Sequence, residues 1–162
     1  VILVTVGTQL GFDRLIRLMD EIALHLPTTV VAQIGAGSFI PRNMQYHRSL
    51  EPSRFLELVE NARVIVGHAG VGTVLAAEKY RKPLIVFPRS AGLGEHRNDH
   101  QAATASALAG RQGISVATDR DELERTLRRG LRSELELPLG PKPGPSLLAA
   151  VARFVETGEL AF

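Results

Sequence analysis

"RVIVGHAGVGTVLAA", residues 63–77, runs from apolar residues of strand length into small residues around one histidine, and then into a segment of helical period. A strand of nearly unbroken Val and Ile is buried on both faces, which is the signature of a parallel sheet covered by helices on each side. A glycine-punctuated turn that leads straight into a helix completes the unit from which such sheets are built.

The same alternation extends in both directions. Upstream, "ILVTVG" (2–7) precedes "FDRLIRLMDEIALHL" (12–26), where Leu15, Ile16, Met19, Ile22, Ala23 and Leu26 recur at three- and four-residue steps and share one helix face. "TVVAQIG" (29–35), a loop with Gly35, Gly37 and Pro41, the short "MQYHRS" (44–49) and a helix opened by Pro52 and Ser53 through "FLELVENA" follow. Downstream come a helix from about Gly72 to Tyr80, "PLIVF" (83–87), a long polar loop, an Ala-rich helix ending near Gly110, and "ISVAT" (114–118). Asp119 with Glu122 three residues on is a capping-box-like start to a helix carrying Leu123, Leu127 and Leu131. The expected fold is α/β: a doubly wound, mostly parallel six-stranded sheet of Rossmann-like type.

Length and composition bound the reading. The chain has 162 residues, 44% of them apolar, enough for the core of one ordinary domain. It opens at Val1 inside an apolar strand with no initiating Met, and is expected to have been trimmed there. Without cysteine, neither a disulfide framework nor a thiolate metal site is available, and a reducing cytoplasmic setting is compatible. No apolar run approaches the roughly 18 residues of a membrane span, so the domain is expected to be soluble. Charges are interspersed around a net of +2, which argues against nucleic acid. Arg125, Arg128, Arg129 and Arg132 fall on one outer helix face, either solvated surface or a contact for anionic lipid heads or an acidic partner. Residues 1–136 form the expected domain, the four prolines of "LPLGPKPGPS" (137–146) make an extended connector, and a helix over 147–157 carries Leu148, Val151 and Phe154 on a side to be buried on the sheet or on another protein.

In open parallel sheets, ligands sit outside the carboxyl ends of the strands. "TVGTQLG" after the first strand and "GHAGVGT" after the fourth both lie there. Small residues let backbone N–H groups approach an anion, and the following helix N-terminus adds unpaired donors and partial positive charge. Such a loop suits a pyrophosphate, with Thr73 and His68 as further donors. The same glycines equally make a tight turn with no ligand. The nicotinamide and flavin fingerprint is missing: "GTQLG" is not G-x-G-x-x-G, and no acid follows "VVAQIG". A second cluster, "PRSAGLGEHRNDHQ" (88–101), brings Arg89, Glu95, His96, Asp99, His100 and Gln101 to the same edge, a mixture suited to sugar hydroxyls. A metal reading of Glu95, His96, Asp99 and His100 lacks any established zinc spacing. A polar surface loop with a helix cap at Asn98 or Asp99 is the plain alternative.

On these residues the sequence resembles the donor-binding domain of GT-B glycosyltransferases, of the family that includes the lipid-linked UDP-GlcNAc transferases and the single-domain subunits of split enzymes. The motifs are "VTVGTQLGFDRL", "VGHAGVGTVLAA", "KPLIVFPR" and "GEHRNDHQ", and they span nearly the whole chain. The resemblance implies that His68, Gly70, Gly72 and Thr73 meet the diphosphate of a UDP-sugar, that Asp99 and Gln101 meet the sugar, and that Gly7 and Thr8 face the cleft. Ala69, Arg89 and His100 complete the expected substrate contacts. Glu95 and His96 are the candidate catalytic bases, and no metal or cofactor is called for. The family usually has a Glu three residues after the Thr, for the ribose; here Ala76 stands there, and Glu78 lies about 200° further round the helix. Arg81 stands where a Gly commonly ends this helix. The resemblance further implies half an active site: hexosyl transfer from a UDP-sugar to a lipid-linked or polysaccharide acceptor, with a membrane-associated acceptor-binding subunit holding the chain at the cytoplasmic face. A non-catalytic nucleotide-sugar-binding or regulatory module is the alternative, while a self-sufficient epimerase of this fold would need a second domain.

Overall fold

The computed structural model describes residues 1–95 and 100–139. Along the chain, β1 (Ile2–Thr5) leads to α1 (Asp13–Ala23), β2 (Val30–Gln33), β3 (Gln45–His47) and α2 (Pro52–Asn61). After these come β4 (Val64–Gly67), α3 (Val71–Lys79), β5 (Leu84–Val86), a 3-10 turn at Ala91–Leu93, α4 (His100–Leu108), β6 (Ile114–Val116) and α5 (Arg120–Leu131). All six strands are parallel, in the order β3-β2-β1-β4-β5-β6. The sheet is Rossmann-like, as its alternating pattern predicts.

Alternate strand residues build two separate cores. Ile2, Val4, Ala32, Val64, Val66 and Ile85 pack with α1 and α5 on one face. Leu3, Val31, Ile65, Leu84, Val86 and Ile114 pack with α2, α3 and α4 on the other. Because successive side chains in a strand point to opposite faces, an unbroken apolar strand feeds both layers at once. The α1 residues Leu15, Ile16, Met19, Ile22 and Ala23 are buried, as their spacing requires.

Helix ends follow local chemistry. Asp119 caps α5 by accepting from the Glu122 N–H at 2.8 Å, but the Glu122 carboxylate reaches Thr118 N–H at 2.9 Å, one residue short of a regular capping box. The third helix begins at Val71 rather than Gly72, since Gly70 is still extended. Past its end Arg81 adopts a left-handed φ of 52°, a conformation that glycine reaches without strain. Its Nε donates to the carbonyl of Pro138, which brings residues after α5 back across the start of β6 at Gly113. The rest of the expected connector and the helix expected over 147–157 lie outside the described residues.

A buried carboxylate positions β3. Asp20, on α1, accepts from the backbone N–H groups of Arg42 and Asn43 at 2.9 and 2.7 Å and from the Asn43 side chain. This clamp fixes the turn that feeds β3, and through it the segment leading to α2. Hydrogen bonds to an ionised group each contribute about 1.5–3 kcal/mol. Asp20→Ala is therefore expected to lower unfolding free energy in urea by roughly 2–4 kcal/mol, while Asp20→Asn, which keeps one acceptor, costs less.

Candidate functional site

Strand order reverses direction of growth between β1 and β4, and the loops leaving these two strands must diverge to opposite faces. Such a switch point leaves a crevice at the carboxyl edge. The register pairs Thr5 with Gly67, so the two loops begin side by side. Here the protein holds a cleft of about 510 Å³, lined on the β1 side by Gly7, Thr8, Gln9 and Leu10 and on the β4 side by His68, Gly70, Gly72 and Thr73. Thr5 and Gln33 form its floor, and Leu50, Pro52 and Phe55 one apolar wall.

Two glycines exist for the sake of the histidine. Gly7 has a φ of 76°, and a Cβ there would sit 2.9 Å from His68 Cε1. A Cβ on Gly70 would strike the His68 Nε2 edge of the same ring. The imidazole is thus packed between the two loops, half-buried and facing the cleft. Gly72 is different: it is exposed, and nothing lies within 4 Å of where its Cβ would be. The protein's own packing does not demand a glycine in this first turn of α3. No side chain caps α3, whose N-terminal turn opens into the cleft. Thr73 is buried, its methyl close to Gly67. Among the described residues, no Asp or Glu lines the cleft, which suits an anion.

Two expected contacts take other parts. Ala69 is buried in the core shared with α2, α3 and α4, its side chain directed away from the cleft. Arg89 borders the cleft but is only 3% exposed. Its guanidinium donates to the carbonyls of Val6, Leu10, Gly11 and Glu95 and lies over the Phe12 ring at 4.7 Å. It holds the β1 loop rather than reaching a ligand. Burial lowers its pKa and the nearby Glu95 opposes that effect.

Glu95, expected as a base, is committed elsewhere. Its two oxygens accept from Arg14 Nε and Nη2 at 2.7 and 2.8 Å, and one also accepts from the Ser90 N–H. Arg14 stacks over Phe87 at 4.7 Å. Burial alone would raise the Glu95 carboxyl, but these hydrogen bonds and the charges of Arg14 and Arg89 hold it below its ordinary value. A carboxylate this well paired is a poor proton acceptor. His96 and Asp99 lie outside the described residues; His100 and Gln101 open α4, and their side chains are likewise outside the description. Glu78, the acid nearest to Ala76, is bound to Arg111.

Sequence reasoning missed the floor and the apolar wall. Gln33 had a usable signal, being a buried polar residue at the carboxyl end of an apolar strand, in register with Thr5. Leu50, Pro52 and Phe55 had none, because they follow β3, an exposed edge strand without a burial pattern.

Solved structures share this architecture. The calicheamicin glycosyltransferase CalG4 superposes with a TM-score of 0.62 at 21% identity, covering 82% of this chain and 35% of that one. MurG of Acinetobacter baumannii gives 0.59 at 18% identity, over 82% of this chain and 42% of that one. ALG13, solved by NMR, gives 0.58 at 16% identity, over 96% and 95% of the two chains. The chain therefore spans about a third of the length of CalG4 and nearly all of ALG13. No curated protein sequence matches it. The fold is that of a GT-B donor-binding domain. The chain belongs to the glycosyltransferase family 28 C-terminal domain family, which it matches over residues 1–141.

The Glu95 cluster has a measurable consequence. Because the folded-state pKa is depressed, its contribution is complete above the ordinary value of 4.5 and disappears as pH falls through the lowered one. Glu95→Gln is expected to cost about 1–3 kcal/mol at pH 7, and the gap between variant and wild type to close on acidification when both are unfolded in urea.

Proposed function

We propose that the cleft binds the diphosphate of a UDP-sugar, and that the chain is the donor-binding subunit of a two-component glycosyltransferase moving a hexosyl group to a lipid-linked or polysaccharide acceptor. The observation that carries the reading is the open N-terminus of α3, with Gly72 facing empty space at the mouth of a cleft bare of described carboxylates. A helix N-terminus presents free N–H donors and about half a positive charge. A departing diphosphate gains charge as the glycosidic bond breaks, and these donors with His68 stabilise it where it develops.

The acceptor hydroxyl needs a base. With Glu95 bound to Arg14, the candidates are His96 in the following loop or a group on a partner. A GT-B site lies between two domains, and this chain supplies one. The second half, in our reading, is a membrane-associated subunit that binds the lipid-linked acceptor and keeps the chain peripheral to the cytoplasmic face. Among the described residues no helix is long and apolar enough to cross a membrane. A second reading, a non-catalytic nucleotide-sugar-binding module, draws on Ala76 and on the engagement of Glu78 with Arg111. Co-expression with a membrane subunit and assay of transfer to a lipid-linked acceptor separates the two.

Titration calorimetry tests the site itself. His68→Ala is expected to weaken UDP binding by about 1.5–3 kcal/mol, roughly 10- to 150-fold. Asp99→Ala is expected to weaken a UDP-sugar more than UDP; equal losses would detach that residue from the sugar. Gly72→Ala is expected to raise thermal stability, since Ala is favoured over Gly in a helix by about 0.5–1 kcal/mol, and yet to weaken UDP. A stabilised Gly72→Ala protein with undiminished UDP affinity would place the diphosphate elsewhere.

A further inference from the structure

The floor of the cleft contains a directed chain of hydrogen bonds that, among the described residues, ends on an amide facing the cleft. Gly7 N–H points to Thr5 Oγ1 at 3.5 Å, and the Thr5 hydroxyl donates to Gln33 Oε1 at 2.7 Å. With Oε1 taken, the Gln33 amide presents its Nε2, which donates to no other described group, toward the cleft. The residue is 5% exposed, at the end of β2 amid Val30, Val31 and Ala32. Nε2 keeps access to the open cleft, so its donors are available to an acceptor on a ligand. Thr5 fixes its orientation, and a hydroxyl that already receives a hydrogen bond polarises the amide further.

We infer that Gln33 is a ligand-contacting residue that donates through Nε2 to an oxygen of the nucleoside portion of the donor. The argument rests on the proposed nucleotide site and adds a residue and an orientation to it. Gln33 stands on β2, so β1 separates it from β4 and from the α3 N-terminus where the diphosphate sits. On its own side the cleft is walled by Leu50, Pro52 and Phe55, apolar surface suited to a planar base and not to a phosphate. A nucleotide laid across β1 places its charged end on α3 and its base and ribose over Gln33. An N–H donor beside this apolar wall selects for a carbonyl or hydroxyl oxygen there, because a ligand lacking one gives the amide no acceptor.

The test uses UDP by calorimetry and uridine by NMR titration, on wild type, Gln33→Ala and Gln33→Glu. The Glu variant keeps an acceptor for Thr5 while losing the donors, so it guards against loss of fold, which thermal melting checks. Gln33→Ala is expected to weaken UDP and uridine by the same factor, about tenfold or more, and Gln33→Glu to weaken uridine to a similar extent and UDP further, through its added negative charge. Loss of UDP affinity with uridine unchanged would put Gln33 on the phosphates and overturn the inference. Affinities within twofold of wild type for both ligands would overturn it too, with the nucleotide site left standing. A folded wild type that binds neither ligand would remove the site and this residue's role together.

Discussion

The pairing of Thr5 with Gly67 is the constraint on which the cleft depends. It aligns the ends of two strands more than sixty positions apart in sequence, so that the Gly7 and His68 turns emerge shoulder to shoulder. The imidazole then fills the gap between them, bounded by Gly7 on one side and Gly70 on the other. Neither loop forms a site alone. Slipping the register by one residue would exchange the two cores and carry the histidine away from Gly7.

Much of this was legible from residue order. Unbroken Val/Ile strands alternating with amphipathic helices are compatible with few architectures, and the glycines around His68 point to the carboxyl edge of the sheet, where the cleft lies. The strand order itself was not written in the pattern, nor was the apolar wall, since β3 is three exposed residues long. Gln33 was passed over because a single polar residue ending an apolar strand reads as the start of a loop. The pairing of Glu95 was hidden for a different reason. A carboxylate in a polar loop looks available until its partner is seen, and Arg14 lies 81 positions away on a helix whose sequence gives no hint of it.

The cations around the cleft are consequently scaffold before they are chemistry. Arg89 ties the β1 loop to the end of β5 through backbone carbonyls, and Arg14 ties the segment ending at Glu95 to α1. Phe12 and Phe87, 6.1 Å apart, give both guanidiniums aromatic faces to rest on. Two arginines and one glutamate leave a net positive charge beneath a cleft with no described carboxylate in its lining. An anion entering the crevice meets that field together with the helix terminus, and desolvation of the cluster makes the field stronger than an exposed lysine would provide.

The position of β4 also bears on how the protein comes into being. During synthesis β1 can pair with β2 early, but its other edge stays open until residues 64–67 have left the ribosome. Parallel neighbours so distant along the chain close slowly, because the intervening loop must be ordered first. In that interval the apolar edge of β1 is exposed, and sequences that hasten the α2 crossover shorten the time in which it can associate with another nascent chain.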